Sequence, residues 1–549
     1  MAVITPQSDV YLLKVPLEID NENQLTFANA TAQYNYFQGL PKVGFDDFTY
    51  IRKDGVLRVP ALIDDLYNYN YVMYRNDAYS NKWFYAYITG MEYMNDNVTD
   101  ISIATDTFQT WQFDLTYKRT FVEREHVNDD TIGLHTQPES LQLGEMMINS
   151  TNSILPSKEV TDHDGDAIQV GGTSYAIFFQ VTEFLSAYLP EADQYSNLTY
   201  NGIFSGLKFF ACKNTSDAQY FIQQYASAGK SAAIVAIFLA PKEFLQGAYK
   251  LGTGSLLYIP DQSVSVTELE NTNTISIPQT LNGYTPNNKK LFTYPYSYMY
   301  VTNNAGADTT YNFEDFANNS PKFTIKGSLG QGCSTRLIPI NYKGINNDKN
   351  NLEYGLVGAK YPVCSWASDY YINWMAQNGG NINTSVVTSI ATRALGFENA
   401  SLFNNPMGMA GSAIGIASTV ASTIAEVERA KIIPDQAKGN TTTSDMLAGC
   451  VSPSGTRVYF TVDCMSVRAE NAKIIDDYFT AYGYKVNSVK VPNITGRRNW
   501  NYVKTVGCYI EADIPQEDLQ QIKDMFNKGI TLWHNPATFA DYSQNNDII

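Results

Sequence analysis

Acidic and basic side chains alternate at Glu123-Arg124-Glu125-His126, where acid–base chemistry could take place. Acid–base cleavage of a polysaccharide needs two carboxyl groups that are held in a cleft with separated pKa values. If this segment is a β-strand, Glu123 and Glu125 share one face and Arg124 lies on the other. The spacing therefore favours an inter-strand or inter-subunit ion pair over catalysis.

Residues 162–166 (DHDGD) are similar to the beginning of a calcium-binding loop. In such a loop the twelfth position supplies a bidentate glutamate, but here that position is Thr173. The pattern instead favours a solvated turn, because Asp and Gly are common turn residues.

Other reactive residues lack the patterns that catalytic or metal sites require. The sequence has no G-x-S-x-G elbow and no phosphate-binding Gly-Lys loop. Trp533-His534 and His135 are interpreted as core or loop residues, and Arg497-Arg498 as a solvated turn. We therefore predict no catalytic residue, no bound metal and no cofactor.

Residues 399–425 form the most unusual segment, because none of them is charged and most are small or apolar. The run includes Gly411 and Gly415 in a G-x-x-x-G pattern, which permits close helix packing in lipid. It exceeds the roughly 20 residues that cross a bilayer, although Asn404, Asn405 and Pro406 make it only moderately hydrophobic. Such a segment is buried in a core, hidden in an oligomer or delivered to a membrane.

Composition describes the protein that must carry this segment. The chain has 549 residues, of which 44% are hydrophobic and 13% aromatic, including 39 Tyr. Abundant Tyr, Thr and Val favour strands, so the expected fold class is mainly β with some helices (α+β). The net charge of −17 disfavours binding to phosphate backbones. It suits either plain solubility or a surface along which nucleic acid passes without adhering.

The six cysteines are scattered without a C-x-x-C pair, so we predict buried thiols in a chain that folds in a reducing cytoplasm. The N-terminus has no basic start, and Lys14 interrupts its first apolar run. No secretory signal is therefore expected.

Aromatic and β-branched runs predict strands throughout the first 125 residues. These runs are 10–17, 25–27, 33–37, 70–75, 82–88 and 101–104, followed by an aromatic segment at 107–113 in the same β unit. In the middle of the chain, residues 176–181 and 232–238 predict buried strands, and residues 218–225 have helical spacing.

The C-terminal section predicts helices and strands in alternation. An apolar stripe of Ile474, Ile475, Tyr478 and Phe479 predicts a helix over residues 471–482, which Gly483 ends. A second helix is expected from residue 514 to about residue 527. Strands are expected at 486–491, 502–506 and 529–534.

Blocks of residues along nearly the whole chain resemble a known family. The C-terminal blocks are 482–487 (YGYKVN), 501–505 (NYVKT), 514–515 (IP) and 529–534 (GITLWH). Further blocks are 12–14 (LLK), 82–85 (KWFY), 109–111 (QTW), 122–126 (VEREH), 289–291 (KKL), 294–296 (YPY) and 373–374 (NW). In this order they resemble the tail-knob, or distal tail-tube, proteins of small short-tailed bacteriophages (picovirus type) that infect Gram-positive bacteria.

The resemblance implies a structural virion protein of the phage tail, assembled in the host cytoplasm. It implies a homohexamer, with a β-barrel tube formed by a ring of subunits, that contacts other tail components. Viral DNA would leave through the lumen without specific binding. A long hydrophobic loop insert would plug the tube and then enter the host cell membrane as a pore.

The implied organisation places the uncharged run inside that loop. The expected segments are an N-terminal β tube segment (1–125), a mixed middle region (126–345), a return to the tube (346–384), the loop (385–450) and a C-terminal tube segment (451–549). The expected membrane-insertion residues are Phe403, Met407, Met409, Ile414, Ile416, Val420 and Ile424. Helix packing is expected at Gly408, Gly411 and Gly415.

Two alternatives stay open at this point: a tail-associated cell-wall hydrolase and a host-receptor-binding adhesin. A buried structural insert is the alternative for the uncharged run itself.

Overall fold

The computed structural model describes residues 8–45, 55–76, 82–156, 158–170, 175–189, 199–200, 203–204, 207–230, 233–252, 256–259, 267–268, 273–304, 306–329, 334–344, 353–358, 363–365 and 460–549. The chain divides into two compact units. Segments 1–145, 283–291 and 467–549 build the first, called here the terminal unit. Segments 146–282 and 292–466 build the second, the middle unit.

Strands dominate both units. The first strands of the terminal unit are β1 (Ser8–Leu13), β2 (Asn23–Leu25), β3 (Lys42–Phe45), β4 (Val56–Val59), β5 (Tyr71–Asn76), β6 (Trp83–Asn95), β7 (Val98–Thr105), β8 (Thr116–Tyr117) and β9 (Thr120–Glu125). The middle unit has β10 (Met146–Ile154), β11 (Tyr175–Val181), β12 (Thr199–Tyr200), β13 (Ile203–Phe204), β14 (Lys208–Cys212), β15 (Ile234–Pro241), β16 (Tyr249–Leu251), β17 (Leu256–Ile259), β18 (Thr267–Glu268), β19 (Asn273–Thr274), β20 (Ser297–Thr302), β21 (Asp308–Tyr311), β22 (Lys322–Ser328), β23 (Ser334–Ile340), β24 (Leu356–Val357), β25 (Val363–Ser365) and β26 (Phe460–Val467). The terminal unit is completed by β27 (Tyr484–Lys490), β28 (Trp500–Val506), β29 (Ile510–Glu511) and β30 (Ile530–Trp533).

Helices are fewer and mostly short. The described α-helices are α1 (Ala30–Gln38), α2 (Ile63–Leu66), α3 (Thr107–Trp111), α4 (Thr215–Ser227), α5 (Ala469–Tyr482) and α6 (Gln516–Lys528). Single 3₁₀ turns cover Ser186–Tyr188, Lys242–Leu245, Lys289–Phe292, Phe313–Asp315, Ala317–Asn319 and Pro536–Thr538. The prediction of a mainly β fold with some helices is confirmed for the described residues.

Both ends of the sequence contribute strands to the terminal unit. One antiparallel sheet has the strand order β3-β1-β5-β6-β7-β4. A second sheet has the order β2-β30-β28-β9-β27, and β8 pairs separately with β29. In the second sheet, β2 runs parallel to β30, with Leu25 opposite Trp533.

Aromatic side chains fill the core of the terminal unit. Trp500 and Trp533 are fully buried, with ring centroids 4.9 Å apart. Phe37 of α1 packs 4.8 Å from Tyr85 of β6. Full burial of one such side chain contributes roughly 2 kcal/mol, so this cluster is a major source of the unit's stability.

The C-terminal helices are confirmed. The structure ends α5 at Gly483, whose φ of 65° favours glycine. A Cβ at this position would lie 2.2 Å from the carbonyl oxygen of Glu125, so the helix stop is also a steric requirement. One detail of the predicted stripe is wrong: Ile475 and Phe479 are buried, whereas Ile474 is 67% exposed.

The predicted strand at residues 33–37 is wrong, because α1 occupies this position. Asn29 caps the helix by accepting the N–H of Ala32 at 2.9 Å, and the aromatic spacing places Phe37 in the core. Residues 107–111, included in the predicted β unit, also form a helix, α3, capped by Asp106. In both cases an Asx cap outweighed the strand preference of the aromatic residues.

The middle unit contains separate sheets. Their strand orders are β10-β26-β20-β21, β16-β17-β14-β11-β15-β25 and β18-β22-β23-β24, with β19 also on β22 and β12 paired with β13. The predicted strand at residues 176–181 and helix at residues 218–225 are confirmed by β11 and α4. The helix packs on the six-stranded sheet, with Phe221 centred 4.6 Å from Phe179.

Candidate functional site

The residues expected to insert into a membrane, or to pack helices there, lie outside the described residues. They are Phe403, Met407, Met409, Ile414, Ile416, Val420 and Ile424, with Gly408, Gly411 and Gly415. Among the helices that the structure describes, none has the length and apolar content needed to span a bilayer.

The block from Glu123 to His126 lies at the end of β9, between β27 and β28. Glu123 has no paired residue on either neighbouring strand. Val122 pairs with Ser488 of β27 and Thr505 of β28, and Arg124 pairs with residue 485 of β27 and residue 504 of β28. This β-bulge replaces the simple alternation expected from the sequence. Arg124 and Glu125 are therefore both buried, while Glu123 is partly exposed.

Each carboxylate of the block has a cation on an adjacent strand. Glu123 pairs with Lys504 at 2.9 Å, and Glu125 pairs with Lys490. The second oxygen of Glu125 accepts the N–H of Asn493 at 2.8 Å. The predicted inter-strand ion pairs are confirmed, and both carboxylates are already occupied by partners within the chain.

Arg124 belongs to a buried charge cluster that joins three segments of the terminal unit. Its guanidinium and the Lys290 ammonium both bind the Glu139 carboxylate, and Arg124 Nη1 donates to the carbonyl of Gly483 at 2.7 Å. Burial lowers the pKa of Lys290, although Glu139 acts in the opposite direction. Removing one member of such a cluster leaves a buried charge unpaired, which costs several kcal/mol.

His126 is a structural residue with both ring nitrogens in use. Its Nδ1 accepts the N–H of Tyr502 at 2.8 Å, so the proton lies on Nε2, which donates to the Thr480 carbonyl at 3.0 Å. Burial lowers the pKa of His126 to about 3, with the nearby Arg497 adding to the effect. A neutral imidazole with no accessible lone pair cannot exchange protons with a substrate.

A polar cavity of about 620 Å³ opens beside His126, within the terminal unit. Asp130, Lys289 and Arg497 contribute to its lining. Asp130 accepts the backbone N–H of Lys289 at 2.8 Å and the hydroxyl of Tyr484 at 2.7 Å. Burial raises the pKa of Asp130. Its hydrogen bonds hold the segment 283–291 in place and do not form a catalytic pair.

Arg497 was predicted to lie in a solvated turn, and this prediction is wrong for that residue. Arg497 is buried and donates from Nη1 to the Asn546 carbonyl at 3.2 Å, whereas its neighbour Arg498 is exposed. Burial lowers the pKa of Arg497. The residue anchors the C-terminal segment, a role that no local sequence pattern reveals.

The DHDGD segment at 162–166 forms a turn whose carboxylates bind the ammonium group of Lys250. Lys250 Nζ lies 2.6 Å from Asp162 and 2.5 Å from Asp166. Burial alone raises the pKa of Asp162, but Lys250 and two backbone N–H groups outweigh burial and hold it below its ordinary value. The turn is confirmed, although Asp162 itself is buried. Within the described ranges no cluster of His, Cys, Asp and Glu could hold a metal ion.

Three cysteines that the structure describes are free thiols in buried positions, as predicted: Cys212, Cys464 and Cys508. Burial raises the pKa of each thiol. Since the thiolate is the nucleophile, these residues act as small core side chains.

The fold described above is rich in β-strands, and comparison with known proteins identifies its family. The family model described as the C-terminal domain of the Bacillus phage phi29 tail knob protein gp9 matches residues 264–547, more than half of the chain. A model of the caudoviral major tail protein N-terminus matches residues 7–116. These matches define a class, the structural components of phage tails. Within that class, the chain belongs to the family of the phi29 tail knob protein gp9.

Full-length relatives support this assignment. Tail knob protein gp9 of Bacillus phage PZA is 26% identical, with 98% of both chains covered, and its counterpart in Bacillus phage phi29 is 25% identical at the same coverage. The bacteriophage C1 tail knob protein gp12 has a similar fold, with a TM-score of 0.65, 15% identity and 99% of this chain covered. The resemblance inferred from the sequence is confirmed. The chain is a structural component of the virion tail that assembles with other tail components, and its relatives are not named as enzymes.

Proposed function

We propose that this protein forms a homohexameric distal tail tube through which the phage genome leaves the particle. In this proposal, residues 385–450 form a hydrophobic loop that plugs the tube before infection. On infection, the six loops leave the tube and enter the host membrane as a pore. The observation that carries the proposal is the 27-residue stretch without charge, residues 399–425, in a chain of the tail knob family.

The composition of this stretch suits a loop that must exist in two environments. Its small polar residues tolerate a water-filled tube, and its apolar residues lower the cost of entering lipid. Charged residues return at Glu398 and Glu426, which would stay in water on either side. Six copies can place Ser and Thr toward a lumen while Ile414, Ile416 and Val420 contact lipid.

Segments 1–125 and 451–549 are proposed to form the wall of the tube, with 346–384 as a return segment and 126–345 as the middle region. Support comes from the terminal unit, in which β9 from the first segment pairs with β27 and β28 from the last. Closing strands into a ring also removes exposed sheet edges. The net charge of −17 favours a lumen that does not retain DNA.

Liposome leakage tests the membrane role. Deleting residues 399–425, or introducing Ile414→Asp with Ile416→Asp, should abolish dye release without changing assembly. The matched control is Ile414→Leu with Ile416→Leu, which should release dye like the unmodified chain. Failure of the deletion variant to assemble would identify the run as a structural insert.

Electron microscopy of the purified protein tests the tube, and rings with a central hole are expected. Incubation with peptidoglycan and with whole cell walls separates the alternatives. Release of soluble sugar or peptide would identify a cell-wall hydrolase, and stable attachment without leakage would identify a receptor-binding adhesin.

A further inference from the structure

The outer face of the second sheet of the terminal unit carries an uncovered apolar row. Val489 of β27 lies directly opposite Phe121 of β9, which lies directly opposite Val506 of β28. Their exposed fractions are 58%, 39% and 57%. Three large apolar side chains on neighbouring strands form a continuous patch, which on a soluble protein usually marks a contact surface.

Another part of this face is covered by α5. Tyr482 packs 5.1 Å from Tyr502 of β28, and Tyr478 lies under the Arg124 guanidinium at 4.9 Å. The apolar row therefore begins where the cover of the helix ends. This arrangement leaves room for a second element to continue the layer that α5 begins.

Of three cations beside the row, two are paired with carboxylates. Lys504 pairs with Glu123 and Lys118 pairs with Glu511. Arg119 is exposed and donates to the Val489 carbonyl at 3.3 Å, yet it has no carboxylate partner among the described residues. The patch thus combines apolar area with one guanidinium that is available to an acidic partner.

A second exposed surface, on the first sheet of the terminal unit, carries carboxylates in place of a guanidinium. In the β6–β7 hairpin, Glu92 lies directly opposite Asp100, which lies directly opposite Arg58 of β4. Arg58 binds Asp100 through two bonds of 2.7 and 2.8 Å. Glu92 is exposed, faces a like charge and pairs with no cation in the described part of the chain. Like charges opposite each other on adjacent strands are unfavourable, so Glu92 gains from an added cation.

The hairpin also offers apolar contacts. Val56 of β4, together with Tyr93 and Met94 of β6, is exposed. β5 pairs with β6 only from Trp83 to Tyr87, so the distal half of β6 extends past its neighbour. The carboxylates of Asp64 and Asp65, in α2, are exposed as well.

We propose that the β6–β7 hairpin of one copy docks on the row Phe121–Val489–Val506 of the next copy, with Arg119 pairing with Glu92. Charge complementarity selects this occupant. In a chain of net charge −17, the guanidinium beside the row has no carboxylate partner, and the hairpin carboxylate has no cation partner, among the residues that the structure describes. The two surfaces differ, so the contact is head-to-tail, which is the type of contact that closes into rings. The inference rests on the proposed ring and identifies its contact surfaces.

Charge exchange tests the pairing. Arg119→Glu and Glu92→Arg, each alone, should lower the fraction of rings by about tenfold in native mass spectrometry, because each variant places like charges together. The double variant Arg119→Glu/Glu92→Arg should restore rings. Both residues are exposed, so neither variant should unfold at a clearly lower temperature than the unmodified chain.

A second pair of variants tests the apolar row. Val489→Ser should weaken ring formation, whereas Ile474→Ser should not, since Ile474 is at least as exposed but lies on α5 and not on the strands that form the row. Rings that form normally in all single variants would overturn the proposed surfaces and leave the ring itself standing. Absence of rings in the unmodified chain would overturn both. Variants that form rings but no longer bind other tail components would assign the row to such a component and overturn the proposal.

Discussion

At the scale of single residues, the buried polar groups of the terminal unit hold segments together and do not react. Glu139 binds Arg124 and Lys290, and His126 links β28 to the end of α5. His534 similarly contacts Thr26 at 2.7 Å and Asn501 at 3.0 Å. Their common property is that partners within the protein satisfy them, which explains why a block rich in acids and histidine has no catalytic geometry.

Buried His126 and partly buried His534 predict that acid weakens the terminal unit. Burial lowers the pKa of His126 to about 3 and that of His534 to about 4, whereas both have the ordinary value of 6.5 when unfolded. As the pH falls below 6.5, the unfolded chain binds protons that the folded chain excludes. The free energy of unfolding should therefore fall by up to about 1.4 kcal/mol per pH unit for each histidine.

Urea unfolding followed by tryptophan fluorescence, from pH 7 to about pH 5.5, measures this slope. Buried Asp106 and partly buried Asp130 have raised pKa values and act in the opposite direction at lower pH. His126→Gln with His534→Gln should flatten the slope, and His163→Gln, at an exposed position, should not. An unchanged slope in the double variant would contradict the assignment.

At the scale of elements, one aspartate attaches the segment 283–291 to α5. Asp476 accepts the Tyr284 hydroxyl at 2.7 Å and the backbone N–H groups of Asn287 and Asn288 at 2.8 and 3.0 Å. The segment has few apolar anchors of its own, apart from Leu291. Its position in the terminal unit therefore depends on polar contacts, and Asp476 supplies the contacts to α5 in addition to those that Asp130 and Glu139 make with Lys289 and Lys290.

Asp476→Ala should release this segment while the sheets stay folded. Loss of three or more buried hydrogen bonds leaves donors unsatisfied, at a cost of about 1–3 kcal/mol each. Amide hydrogen exchange of residues 283–291 should accelerate by about tenfold or more, with little change in β5 and β6. Asp477→Ala is the matched control, since Asp477 is adjacent but exposed. Equal acceleration in both variants would show that the attachment lies elsewhere.

The elements that sequence predicted correctly are those with strong local patterns. α5 and Gly483 follow from apolar spacing and a glycine stop, and β11 follows from a mostly apolar run. The strand predicted at residues 33–37 was wrong because the prediction relied on aromatic content and did not include the capping signal of Asn29. Arg497, Lys250 and Glu139 could not be interpreted locally, since their partners lie 49, 84 and 151 residues away in the sequence. Contacts between residues so far apart produce no periodic pattern in the sequence.

At the scale of the whole molecule, the net negative charge decides how the protein interacts with DNA. A net charge of −17 on each copy predicts that the assembled protein does not retain double-stranded DNA. In a gel-shift assay at about 50 mM salt, where binding to phosphates is strongest, no retardation is expected. A positively charged protein of similar size serves as the control. Retardation that weakens with added salt would reveal a basic surface and contradict the proposed conduit.

The pairing of β2 with β30 delays completion of the terminal unit until nearly the whole chain has been translated. Trp533 donates to Asn23 at 3.0 Å across 510 residues, an interval that a ribosome covers in roughly half a minute to two minutes. Until then β2 lacks the strand with which it pairs. A polypeptide that ends before β30 lacks Trp533, so we expect its terminal unit to fold incompletely.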